Sequence, residues 1–256
     1  MNTAIATKLS DMEWSKPVQC GQNKCFVASR TNQTTGYLIA RGAYTLKEMK
    51  KGCELEARMA KKYGTTPLTL QNNQQQSSPV MAFWNLSDAM LDVLKDYGPP
   101  KKSLPIVVTP VKKVPSPNLL VKLQNDGPKW TKKRIPKFAR LLRRQYYGRM
   151  EQFRDTFAQE IKRLMQIVRD PKYLHLMMDF QFLLGTDGRI YYIDFERAAL
   201  SKHPPVSAFK QRYKNLEASL QRMLFWLTEN DDDTFAKLED DAFSIESDDA
   251  DDDATS

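Results

Sequence analysis

Apolar positions recur along this chain with two periods, and the switches between them mark out its elements. Met150, Phe153, Phe157, Ile161, Leu164 and Val168 fall at spacings of three and four, with Glu151, Arg154, Asp155, Lys162 and Arg163 between them. A period of 3.6 gathers the first set on one face, so the pattern predicts a long amphipathic helix, ended by Asp170-Pro171. Phe209, Tyr213, Leu216, Leu220, Met223 and Leu227 predict a second helix in the same way. Leu46, Met49, Cys53, Ala57 and Ala60 predict a third, with Thr45 and Glu48 placed as a capping box and Gly64 as its stop. A shorter helix is expected over 87–95.

The other period is two. Apolar runs at 181–184 and 190–193 flank Gly185-Thr186-Asp187-Gly188, whose residues tolerate positive φ, and this predicts a β-hairpin. A second hairpin is expected from Cys25–Ala28 and Tyr37–Ala40 around the polar turn at 31–36, and a strand over 80–84. The tract at 71–78 is polar throughout and predicts an exposed loop. Pro99, Pro100, Pro105, Pro110, Pro115 and Pro117 punctuate the next stretch. Proline removes a backbone donor, so 99–128 is expected to be a connection and hinge with an edge strand or two, outside any central sheet. The expected organisation is a small N-terminal lobe over 1–98, this connection, a helical lobe with the central hairpin over 129–228, and a disordered acidic tail over 229–256.

Charge changes that picture in one respect. The net charge is +8. From Glu229 to Ser256 there are thirteen Asp or Glu and one Lys, a net of −12, so the remainder carries about +20. A tail of that sign is expected to lie over basic surface, and Ser244 and Ser247, in its acidic context, fit an acid-directed kinase whose phosphates would strengthen the attraction. The hydrophobic content of 41% argues for a folded body. No apolar run approaches the ~18 residues of a membrane span, and residues 1–14 lack a signal-like apolar core. The expectation is an intracellular protein, cytoplasmic or nuclear, with no membrane partner. Cys20, Cys25 and Cys53 are too few for a disulfide framework. The Cys20–Cys25 spacing occurs in zinc ribbons, but the only histidines, His175 and His203, lie far along the chain, and reduced, packed thiols are expected.

The central hairpin holds the candidate chemistry. Its second strand ends in Asp194-Phe195-Glu196, and Asp179 stands just before its first. Antiparallel pairing brings the start of one strand beside the end of the next, so two carboxylates can approach each other there. Other readings of Asp194 are a solvated strand-end acid or an ion pair with Arg189 or Arg197.

The order of elements is hairpin, helix, strand, proline-rich connection, long helix, carboxylate, hairpin, second carboxylate, helix. It resembles a reduced, two-lobed fold of the protein-kinase-like superfamily, which makes the fold class α+β. The likeness centres on residues 150–199, where the helix, His175-x-x-x-Asp179, the hairpin and Ile193-Asp194-Phe195-Glu196 are similar to the family's catalytic loop and metal-binding Asp-Phe-Gly. The resemblance implies a nucleotide site for ATP and Mg2+. In it Asp179 orients or deprotonates the acceptor hydroxyl and Asp194 holds the metal. Gln181 is a further ligand candidate. Arg41 stands where the family has its phosphate-binding lysine, with Glu54 or Glu56 as its helix partner. Departures are Arg41 for lysine, Glu196 for glycine, no glycine-rich phosphate loop, and Leu184 five residues past Asp179, where the family has an asparagine. The function implied is a Mg-dependent phosphotransferase or a nucleotide-binding pseudoenzyme.

A competing feature runs from Lys129 to Arg149. Lys129, Lys132, Lys133, Arg134, Lys137, Arg140, Arg143 and Arg144 neutralise phosphates if they track a nucleic acid, and Trp130, Phe138 and Tyr146 offer faces for stacking. Lys132-Lys133-Arg134 also resembles a nuclear-import signal. The plain alternative is a basic solvated face at the start of the long helix. Nucleic-acid or polyanion binding, or a scaffold role, is therefore the second expectation.

Overall fold

The computed structural model describes residues 11–14, 19–20, 24–40, 45–72, 75–76, 80–82, 106–124, 127–130, 135–173, 181–195 and 216–229. They form a mixed α+β fold with antiparallel sheets and four helices. The strands are β1 (Gln19–Cys20), β2 (Lys24–Ala28), β3 (Thr35–Ala40), β4 (Gln71–Asn72), β5 (Gln75–Gln76), β6 (Val80–Ala82), β7 (Ile106–Lys112), β8 (Leu119–Gln124), β9 (Gly127–Trp130), β10 (Gln181–Leu184) and β11 (Ile190–Ile193). The helices are α1 (Leu46–Tyr63), α2 (Ile135–Gln145), α3 (Met150–Arg169) and α4 (Leu216–Glu229). One sheet runs β1-β2-β3-β7-β6 and a second runs β11-β10-β8-β9.

The predicted β2–β3 and β10–β11 hairpins and the helices α1, α3 and α4 are present. Residues 209–215, Phe83 and Trp84, and 87–95 lie outside the described residues. The capping box forms as expected: Glu48 N–H donates to the Thr45 hydroxyl oxygen at 3.3 Å and Thr45 N–H donates to the Glu48 carboxylate at 2.6 Å. Gly64 closes α1 at φ 68, in the left-handed region.

Three expectations are corrected. The 71–78 tract is not only loop, since β4 and β5 form a short ladder. The basic segment is not the start of the long helix. It contributes β9 and the separate helix α2, and a turn containing Gly148 at φ 68 divides α2 from α3. The proline-rich stretch is no mere connection either: β7 lies between β3 and β6, and β8 between β10 and β9. The register shows how Pro110 is tolerated inside a sheet. Lys112 N–H donates to the Leu68 carbonyl, on the edge away from β3. Backbone direction repeats every two residues, so Pro110 faces that same edge. It sits there between the last β6 rung, at Val108, and the bridge from Thr69 to Val111, and among the described residues no rung calls on its missing donor.

The main core lies between the second sheet and the helices. Phe153, Phe157, Ile161 and Leu164 of α3 pack with Leu142 of α2, Leu220 and Leu227 of α4, and Val121, Phe182 and Tyr192 of the sheet, all buried. Helix α1 joins both bodies. Its Leu55 and Met59 enter that core, while its Met49 packs with Ala40 and Val107 of the first sheet. At the far end of α1, Lys62 and the Tyr63 hydroxyl both bond the Asp170 carboxylate that follows α3, and Tyr63 meets Tyr173 edge to face at 5.6 Å. Among the described residues no helix is long and apolar enough to cross a membrane.

Candidate functional site

The hairpin that carries the candidate acid is held at both ends. In its loop, Gly185 N–H bonds the Arg189 carbonyl at 3.0 Å, and the Tyr191 hydroxyl bonds the Asp187 carboxylate at 2.6 Å. The strands pair Gln181 with Ile193 and Leu184 with Ile190, so the start of β10 lies beside the end of β11. Beneath β11, Glu160 of α3 is buried, paired with Arg163 and hydrogen-bonded by the Ile190 backbone. Burial pushes its carboxyl above the ordinary range, against the pull of Arg163. Burial likewise pushes up the Tyr192 hydroxyl, and the charge of Glu160 adds to the effect.

Past Ile193 the chain turns sharply. Asp194 adopts φ 62 and is the one positive-φ residue other than glycine among the described residues. The left-handed region costs an L-residue about 1–2 kcal/mol, and Asp bears it better than most. The turn separates two adjacent side chains. Phe195 goes into the core, 6.1 Å from the Tyr192 ring, while Asp194 points to the first sheet. There its Oδ1 lies 2.7 Å from Nζ of Lys24, the first residue of β2. Both groups are shielded, Lys24 at 11% and Asp194 at 24% side-chain exposure. This ion pair ties the end of one sheet's hairpin to the start of the other's. It also answers the open reading of Asp194: the partner is Lys24, distant in sequence, and not Arg189.

Sequence reasoning missed Lys24. The signal lay in the β2–β3 register, which sets Lys24 across from Ala40, the residue just before Arg41. Arg41 and Asp179 lie outside the described residues. Gln181 is half-buried, beside the site through its pairing with Ile193. Glu54 is exposed on α1. Glu56 is buried, and its carboxylate accepts from Leu68 N–H at 2.6 Å, from Thr69 N–H at 3.2 Å and from the Thr69 hydroxyl. It therefore holds the strand-like segment beside β7 to the helix.

Cys53 is a buried thiol of α1 outside any disulfide, as expected. Cys25 departs from expectation: next to Lys24, it is disulfide-bonded, and its cross-strand neighbour in the β1–β2 ladder is Cys20. The reduced state inferred from cysteine number alone took no account of strand pairing, which sets these two backbones opposite each other.

The basic segment is distributed over two elements. Lys129 and Trp130 are in β9, and Lys132, Lys133 and Arg134 lie outside the described residues, as do Ser244 and Ser247. Lys137, Arg140 and Arg144 are exposed on α2, and Arg143 is half-buried. Phe138 is buried in the core and Tyr146 half-buried against it, so neither is a stacking face. Tyr147, by contrast, is 88% exposed.

The donors described at the hairpin are one carboxylate and one ammonium, and among the described residues no group of three or more His, Cys, Asp or Glu is placed to hold a metal ion. A carboxylate offers hard oxygen to Mg2+, which is usually held by one or two carboxylates together with substrate phosphates, and an ammonium suits the phosphate itself. Comparison with protein-family models, with curated proteins and with solved structures finds no match to this chain.

Proposed function

We propose that this chain is a diverged, kinase-like protein that binds a nucleoside triphosphate with Mg2+ between its two sheets, as a phosphotransferase or a pseudoenzyme that keeps only the binding. The observation that carries this reading is the shielded Lys24–Asp194 pair, set where β2 and β11 meet. In the proposed roles Asp194 takes the metal and Lys24 takes phosphate oxygen, the part first assigned to Arg41. The apposed charges hold each other until the ligand separates them. Mg2+ would neutralise phosphate charge when bound. Asp179 is the proposed group that orients or deprotonates an acceptor hydroxyl, and Gln181 a hydrogen-bond donor or ligand beside it. The two-lobed arrangement belongs to the same proposal, with the first sheet and α1 as one lobe and the second sheet with α2, α3 and α4 as the other.

A thermal-shift titration tests this. ATP with Mg2+ at 100 times its Kd should stabilise the fold by about 2.7 kcal/mol, a rise of several degrees in Tm. Asp194→Asn keeps the shape and a residue tolerant of positive φ, and should abolish the magnesium-dependent part of the shift. Lys24→Met should weaken binding with or without metal. No shift in the wild type with any nucleoside triphosphate would remove this reading.

A further inference from the structure

Helix α2 carries four cations and no acid. Its inner side, Phe138, Ala139 and Leu142, is buried in the core. Its outer side presents Lys137, Arg140 and Arg144 at intervals of three and four, which makes one stripe. Exposed Tyr147 and Arg149 continue it through the following turn. Two exposed arginines of the neighbouring helix α3 have acidic partners on α4: Arg154 pairs with Glu229 at 2.6 Å and Arg169 with Glu217 at 3.1 Å. Lys137, Arg140 and Arg144 make no ion pair among the described residues. Like charges one helical turn apart repel, so this stripe calls for an anion.

The chain supplies one close by. Helix α4 packs on both α2 and α3, and its last residue, Glu229, is fixed to Arg154 in the second turn of α3. Residues 230–256 leave from that point, with twelve Asp or Glu and one Lys among 27 residues. The stripe from Lys137 to Arg144 is about 10 Å long, and 27 residues cover about 40 Å even if wound entirely into helix. Even in that compact form the segment is about four times as long as the stripe, and tethering puts the acids at millimolar effective concentration.

We propose that residues 230–256 dock on the Lys137–Arg140–Arg144 stripe of α2 as its built-in counter-ion and hold this surface closed to other polyanions. The docked state is multivalent and screened by salt, since each contact reaches only about a Debye length, ~8 Å at physiological ionic strength. It does not depend on whether a nucleotide binds at Lys24 and Asp194.

Carbodiimide cross-linking of the full chain at 50 mM salt tests the occupant directly, because the reagent joins a lysine amine only to a carboxylate in contact with it. The expected product joins Lys137 to a carboxylate within 230–256. It should be lost in an R140E/R144E variant whose Tm is unchanged. A second arm uses fluorescent single-stranded oligothymidylate as the competing polyanion. A full-length variant with the twelve acids of 230–256 changed to Asn or Gln should bind it at least tenfold more tightly than wild type at 50 mM salt. The gain should vanish when R140E/R144E is added. Cross-links that avoid Lys137, a Lys137 cross-link that survives R140E/R144E, or equal oligothymidylate affinity of wild type and neutralised chain, including no binding by either, would each overturn the proposal.

Discussion

At Gly188 the hairpin loop closes at φ 77, directly over α3. A Cβ there would lie 3.0 Å from the Phe153 carbonyl oxygen and 3.1 Å from the Thr156 Cβ, so both conformation and space require glycine. Gly188→Ala should cost about 1–3 kcal/mol, read as a lower denaturation midpoint at an unchanged slope. Thr45→Ala should cost about 0.5–2 kcal/mol, because it removes one half of the capping box and leaves an N–H of the first turn unpartnered. Both positions were legible in the sequence for one reason: the partners that define them, Asp187 beside Gly188 and Glu48 beside Thr45, are within a few residues. Asp194 was legible for a related reason, as a lone acid at the end of an apolar run. Lys24 was not, since nothing near it in sequence announces a contact with residue 194.

Elements follow the same division between local and distant causes. The apolar stripes of α1, α3 and α4 and the turn between β10 and β11 are written in short windows, and they appear where the pattern puts them. The central places of β7 and β8 are not. β7 is a sheet-interior strand because β3, about seventy residues earlier, lies on one side of it, and β8 because β10, about sixty residues later, completes its ladder. Reading the prolines as a break was sound as local chemistry, but among the described residues the edge that Pro110 presents has no rung that calls on a donor there. The division of the basic segment into β9 and α2 was hidden for a similar reason. Gly148 alone marks the turn, and the cationic run continues through it. Among the elements, α3 contributes the largest share of the main core. Phe157→Ala should cost about 3–5 kcal/mol, since its ring is fully buried among the sheet and the other helices.

For the whole molecule, stability should depend on pH in two opposite directions. Burial alone would raise the Asp11 carboxyl, but hydrogen bonds from Thr31, Tyr37 and Ser29 outweigh it and hold the group at about 2. Hydrogen bonds from Lys62 and Tyr63 hold Asp170 at about 2 as well, against a weaker effect of burial. A carboxyl depressed on folding stabilises above its unfolded pKa, so this contribution is present above about pH 4 and is lost as pH falls toward 2. Glu160 acts the other way, because burial raises its carboxyl. Its contribution is full below its unfolded value of about 4.5 and is lost as pH rises through the folded one. Melting temperatures measured from pH 2 to 8 should therefore peak on the mildly acidic side, and Glu160→Gln should flatten the decline toward neutral pH while leaving the acid limb in place. The pairing of β8 with β10 also bears on how the chain reaches this state. During synthesis β8 emerges well before β10, and meanwhile only β9 is at hand to pair with it. Until α3 and the hairpin have left the ribosome, Leu119, Val121 and the open edge of β8 lack their cover, so the second sheet folds late and its first half is the segment most exposed to aggregation and to chaperones.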